Sequence, residues 1–318
     1  KHLIYFESLL ENANNELVQK AQAEGNLALG YTCYHVPETL LNVGNCFSVR
    51  LRAPNTGSID IATYYMSNYT CEFARALVER GIEGGYQFLD AMIGVDACSM
   101  MNRAMEHFEI LKVNEKPNFF VTHCDIPYKI TDYTLDSYVK QMRIHVLDKL
   151  TEVYGVDTSD AAIRQAVAEH NEVCSIVSEM AEMRKAENPV ITGYEFHVIN
   201  LVTYVCPKAL ILPYLRETLK ELKKRKPDEK SPFRARVAIV GSEIDDPQLT
   251  KLIEGCGALV VSDRYCFGST PGREVIELKD DEDALRQICL HVMEHSECAR
   301  YISDEKVHQR RVTADRLA

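Results

Sequence analysis

No stretch of the 318-residue chain reaches the roughly 18 consecutive apolar residues that a bilayer-spanning helix needs. The first residues also lack a basic start followed by an apolar core, so neither a membrane span nor a secretory leader is expected. Positive charge is scarce as well: 36 Lys and Arg against 47 Asp and Glu give a net charge of -11, which excludes a surface built to wrap nucleic acid. The single basic run, Lys223-Lys224-Arg225-Lys226, sits beside Asp228 and Glu229 and reads as a solvated helix end or linker. A G-x-G-x-x-G spacing is missing, and Gly241-Ser242 alone supports neither a nicotinamide cofactor nor a nucleotide P-loop. There is no Cys-x-x-Cys and no compact ferredoxin run. A cytoplasmic location is expected, where the 11 cysteines do not form a disulfide framework. Most then read as small buried hydrophobes, and any cluster must gather cysteines far apart in sequence.

What is present is an alternation of strand and helix patterns. Residues 4–24 read as one amphipathic helix with Leu9, Leu10, Ala13, Leu17 and Ala21 on one face, ended by Gly25. Strands are expected over 46–51, 88–95 and 119–124, with helices over 71–80 and 99–108 between them. Leu135, Tyr138, Met142, Val146 and Leu150 keep helical spacing until Gly155, and a second long helix follows from Ser159. In that helix Met180 and Met183 read as packing residues. After a polar linker at 226–232 come a strand at 236–241, a helix from Asp246 and a strand at 258–263, which make a second βαβ unit. A helix from Asp283 to His295 and an amphipathic segment from Glu305 close the chain, and Ala318 stands where a further strand is expected. The reading is an α/β protein of two Rossmann-like lobes with parallel sheets joined by long helices. Residues 1–157 form the N-terminal lobe, and 158–318 the helical bridge plus C-terminal lobe.

Two cysteines stand out by position. Cys71 and Cys98 each open a helix, where backbone N–H groups and the dipole favour a thiolate and suit an anionic metal cluster. In open parallel sheets ligands gather beyond the carboxyl ends of strands, where Cys124, Ser242, Asp263 and Cys266 are expected; Cys266 by default is a buried loop thiol. Pro37 fits a first helical turn, and Glu38 behind it reads on its own as a dipole-complementing surface carboxylate. His35 likewise reads as a satisfied, partly buried imidazole.

Several segments together resemble one family, the subunits of 2-hydroxyacyl-CoA dehydratases, which are related to benzoyl-CoA reductases. The segments are Cys33-x-x-Val36-Pro37-Glu38-x-Leu40, Cys71-x-x-x-Arg75, and Phe88-Leu89-Asp90 leading to Cys98. Val237 to Gly241, Leu252-Ile253 and Gly257 to Asp263 continue the resemblance. It implies the iron–sulfur subunit of an ATP-activated (R)-2-hydroxyacyl-CoA dehydratase, a lyase that eliminates water through a ketyl radical. It also implies a 4Fe–4S-type cluster held in part by Cys71 and Cys98, with the third family cysteine beyond Ala318. Cys33, Cys124 or Cys266 substitutes only if the fold brings it to the same iron atoms. Glu38, and less directly His35, is implied as the acid or base for proton removal and water release. The implied partners are an acyl-CoA substrate, a homologous second subunit and a separate ATP-hydrolysing iron–sulfur activator. The alternatives are a benzoyl-CoA reductase-like or double-cubane-type reductase subunit, or a non-catalytic partner subunit.

Overall fold

The computed structural model describes residues 2–227, 233–241, 243–269, 272–296 and 298. The expected linker at 226–232 lies largely outside them, and Ser242 and the segment from Glu305 wholly so. In chain order the elements are α1 (Leu3–Leu10), α2 (Glu16–Ala23), β1 (Leu27–Tyr31), a 3-10 turn (Glu38–Asn42), β2 (Cys46–Arg50), α3 (Asp60–Tyr65), α4 (Glu72–Ile82) and β3 (Ala91–Val95). Next are α5 (Ser99–Ile110), β4 (Phe120–Cys124), α6 (Asp132–Met142), a π-helical turn (Arg143–Leu147), α7 (Asp148–Tyr154) and α8 (Asp160–Met183). The described chain finishes with α9 (Gly193–Val205), α10 (Lys208–Leu222), β5 (Ala235–Val240), α11 (Pro247–Gly255), β6 (Ala258–Arg264) and α12 (Ala284–Glu294).

The expected first helix is two helices. Asn12, Ala13, Asn14 and Asn15 interrupt it, and the Asn15 side chain accepts the Leu17 and Val18 N–H groups and so starts α2. An N-cap of this kind satisfies donors that a continuous helix has no need to satisfy by a side chain. The helix expected to end at Gly155 does so in the left-handed conformation, with φ of 68°. It passes through the π-helical turn without breaking, and Tyr138, Met142, Val146 and Leu150 all stay buried.

Four parallel strands in the order β2-β1-β3-β4 form the larger sheet, and β5 and β6 form a parallel pair with a bulge at Val237/Ala238. The protein is therefore α/β, as the alternation implies. The two central strands, β1 and β3, are covered on both faces and run apolar rather than alternating. Leu29, Tyr31, Ala91, Ile93 and Val95 face a core shared with α6, α7, α8 and α12. Ala28, Phe47, Val49 and Met92 face the other side, packed by α2, α4 and α5. A third core joins α1, α8, α9 and α10, and Met180 is fully buried in it with Met183 against its edge.

The buried pair Arg184–Asp263, at 2.8 Å, anchors β6 to α8. Asp263 also accepts the Ser269 N–H at 2.6 Å, and Phe196 stacks 3.7 Å from the guanidinium. Asp263 is thus a structural carboxylate at the strand end. Removing one partner strands the other charge in the core, so Asp263→Ala should lower stability by about 3–5 kcal/mol. Urea unfolding measures this, and a loss under about 1 kcal/mol would show that the pair does not anchor the strand.

Candidate functional site

The strand order reverses between β1 and β3, and the segments leaving their carboxyl ends diverge there to leave a crevice. The segment after β1 carries His35 and Glu38, and the segment after β3 carries Cys98. The α3 and α4 helices return the chain from the carboxyl end of β2 to the start of β3. Cys71 is the N-cap of α4 and Cys98 the N-cap of α5. Both thiols are half-buried, and among the described residues neither has a hydrogen-bond partner.

Glu38 is not a surface carboxylate. It begins the 3-10 turn behind Pro37 and is partly buried, its side chain 9% exposed, with Oε1 accepting from Lys208 Nζ at 2.7 Å and from the Ser48 hydroxyl at 3.1 Å. Its Oε2 lies 3.8 Å from Nδ1 of the buried His170. Burial opposes its ionisation, but Lys208, Arg273 and His170 outweigh that and hold the carboxyl down to about 2. Lys208 opens α10, where the helix dipole disfavours a cation, and the Glu38 carboxylate offsets that penalty.

Two further cations surround the pair. Arg50, at the end of β2, donates from Nη1 to the Cys266 carbonyl at 2.6 Å and stacks 4.1 Å over Phe267. Arg273 stacks 3.7 Å over Tyr204 and donates to Thr203. Among the described residues the Tyr31 hydroxyl, the Arg50 Nε and the Arg273 Nε and Nη1 are buried without hydrogen-bond partners. Tyr31, Glu38, Arg50, His170, Tyr204 and Glu274 line a cavity of about 30 Å³. That is room for a water molecule or two, so a larger ligand requires the crevice to open.

His35 is buried and satisfied: Nε2 meets the Ser296 hydroxyl at 2.5 Å and Nδ1 lies 3.5 Å from Cys33 Sγ. Burial lowers its pKa to about 4, so the imidazole is neutral at pH 7. Burial pushes His170 down to about 4 as well, with Glu38 opposing. No hydrogen bond or ion pair among the described residues joins Cys71 or Cys98 to Glu38 or His35. Cys124 is fully buried in a core, and burial pushes it and Cys33 up to about 12. Cys266 follows β6 and is likewise raised by burial. Among the described residues no three His, Cys, Asp or Glu side chains are grouped to hold a metal ion, so none of these thiols completes a set with Cys71 and Cys98.

Sequence reasoning missed Lys208, His170, Arg50, Arg273 and Tyr31. One signal was available for Lys208: a lysine directly after Pro207 at a helix start runs against the dipole and calls for a nearby carboxylate.

These features define an open-sheet α/β protein whose strand order reverses between β1 and β3. Residues 33–316 match the sequence profile of the 2-hydroxyglutaryl-CoA dehydratase, D-component family, and the chain belongs to that family. Among curated relatives it is 20% identical to the (R)-phenyllactyl-CoA dehydratase beta subunit of Clostridium sporogenes, over 81% of this chain and 67% of that one. It is 21% identical to one of the benzoyl-CoA reductase subunits of Thauera aromatica, over 74% of this chain and 61% of that one. It is 22% identical to the beta subunit of (R)-2-hydroxyglutaryl-CoA dehydratase from Acidaminococcus fermentans, over 65% of this chain and 54% of that one. The matches thus span between half and two thirds of these relatives' lengths. Among the described residues no helix is long and apolar enough to cross a membrane.

Removing the ammonium of Lys208 leaves the Glu38 carboxylate buried and under-compensated. Lys208→Met should therefore cost about 3–5 kcal/mol at neutral pH, and Glu38→Gln/Lys208→Met less than Lys208→Met alone. The depressed Glu38 pKa contributes stability that is complete above the ordinary carboxylate range, near 4.5, and is lost as pH falls toward about 2. Across that window the wild-type advantage over Lys208→Met should shrink in urea titrations; a pH-independent gap would refute the pairing.

Proposed function

We propose that the protein is the iron–sulfur subunit of an ATP-activated (R)-2-hydroxyacyl-CoA dehydratase. The observation that carries this reading is the family match together with Cys71 and Cys98 at two helix starts. The donor chemistry fits two legs of a cluster site: two thiols without hydrogen-bond partners among the described residues, each at the positive end of a helix, where a thiolate is favoured. Among the described residues no third donor is grouped with them, and this reading needs a further ligand. A bound cluster would supply a low-potential electron and a Lewis-acidic iron.

The chain's own residues supply the rest. On this reading Glu38 is the acid or base of the crevice; ionised at neutral pH it can only take a proton, its low pKa makes it a weak acceptor, and its Oε2 faces Nδ1 of His170 at 3.8 Å. Lys208 keeps it charged and Ser48 orients it. Arg50, Arg273 and the Tyr31 hydroxyl, which has no hydrogen-bond partner among the described residues, form a buried wall suited to negative charge growing on a thioester oxygen. His35, neutral and locked to Ser296, positions the loop that carries Glu38. A homologous second subunit and a separate ATP-hydrolysing iron–sulfur activator complete the assembly on this reading.

The benzoyl-CoA reductase relative favours a second reading, a reductase subunit on the same scaffold. Anaerobic preparation of the protein with iron and sulfide analysis tests the cluster. Cys71→Ala and Cys98→Ala should each abolish cluster absorbance while costing only the packing of one small side chain. A protein that takes up no iron on reconstitution rules the reading out. Electron-driven turnover of 2-hydroxyacyl-CoA against aromatic acyl-CoA separates the two reactions, since reduction without alkene product would decide against dehydration.

A further inference from the structure

The wall of the Glu38 cavity carries hydrogen-bonding atoms that the chain itself leaves over. Among the described residues the Tyr31 hydroxyl, Arg50 Nε and His170 Nδ1 are buried without a hydrogen bond, and all three residues line the cavity together with Glu38. Tyr204, also on the wall, already donates to the Gly268 carbonyl at 3.3 Å. Buried polar atoms almost always find a partner, in protein or in ordered water. The volume, about 30 Å³, admits a water and little that is larger. Charge leads to the same class of ligand. Lys208, Arg50 and Arg273 stand among Glu38, Glu243 and Glu274, so the two signs balance and neither an anion nor a cation is called for.

The two ring nitrogens of His170 keep different company. Nε2 lies 3.3 Å from Cys174 Sγ, one turn along α8, whereas Nδ1 lies 3.8 Å from Glu38 Oε2. A neutral imidazole carries its proton on one nitrogen only. On Nε2, that proton would leave the Nδ1 lone pair facing an ionised carboxylate. On Nδ1, it faces Oε2, and the Cys174 thiol donates to Nε2 in return. Burial pushes this thiol up to about 12, so its proton is present to donate, and the Gly272 carbonyl at 3.8 Å is the more distant acceptor. The Glu274 backbone, like Glu38, favours positive charge on the ring, against Lys208 and Arg273. A separation of 3.8 Å is too long for a direct N–H···O bond and suits one bridging water.

We propose that the cavity is a water site, and that His170, fixed in its Nδ1–H tautomer by Cys174, is a positioning residue that acts on Glu38 through that water. The water accepts from His170 Nδ1 and donates to Glu38 Oε2, and Tyr31 and Arg50 complete its surroundings. The inference rests on the acid–base role read for Glu38 above. A proton that the water takes from the crevice is matched by one that it passes to Oε2, so His170 and Cys174 end as they began.

Nitrogen NMR of the full chain labelled at histidine reads the tautomer at neutral pH, with His170→Gln to assign the ring. His170 should show a protonated Nδ1 and a bare Nε2; the reverse overturns the proposal. Cys174→Ala should bring the second tautomer into view, and Cys174→Ser, which keeps a donor, should restore the first. A pattern unmoved by Cys174→Ala overturns the role given to the thiol, whereas mere packing by Cys174 predicts no change of tautomer at all. A crystal structure of the chain should place one oxygen within about 3.2 Å of both His170 Nδ1 and Glu38 Oε2. Soaking in bromide should leave that position without anomalous signal. An empty cavity, or bromide within it, overturns the water site, and the crystal decides alone if the His170 or Cys174 variants do not fold. None of these measurements needs a bound cluster or turnover. A chain that takes up no iron but keeps this tautomer and this water counts against the dehydratase reading and for the water site.

Discussion

The contact between Glu38 and Lys208 joins residues 170 positions apart, and the crevice depends on it. Each partner alone is in a poor place: the carboxylate is buried and the ammonium faces the positive end of a helix. Together they fix the loop after β1, the start of α10 and, through Ser48, the second strand. The imidazole of His170 then meets a carboxylate rather than a neutral acid, and it sits 3.3 Å from Cys174 Sγ. One ion pair thereby orders four segments that sequence separates.

The same arrangement explains why the buried site tolerates so much like charge. Lys208, Arg50 and Arg273 crowd one region, but Arg50 and Arg273 lean on the faces of Phe267 and Tyr204. A guanidinium gives up hydration more readily than an ammonium and stacks well on a ring, whereas Lys208 takes the direct carboxylate contact. The division of labour follows the chemistry of the two cations.

Much of the α/β plan could be read from the chain, because strand and helix patterns alternate and Gly25 and Gly155 stop helices as their left-handed backbone requires. Cys71 and Cys98 were visible as helix starts for the same local reason. The break before α2 was hidden because Leu9, Leu10, Ala13, Leu17 and Ala21 keep helical spacing across it, while the asparagines that cause it carry no periodic signal. Glu38 could be located but not understood, since its burial and its partners come from α8, α10 and the segment after β6. Pairwise electrostatics across such separations leave no local trace in a sequence.

The π-helical turn at Arg143–Leu147 accounts for an oddity of spacing. Tyr138, Met142, Val146 and Leu150 recur every fourth residue, and on a regular helix each such step overshoots the seam by about 40°. Three steps would carry Leu150 about 120° round toward solvent. The wider turn takes up one extra residue, about 100° of rotation, and cancels nearly all of that drift. The four side chains thus stay in line at 0–1% exposure. The turn works as a vernier, resetting the phase of a four-residue cadence so that Tyr138, Met142, Val146 and Leu150 all face one core.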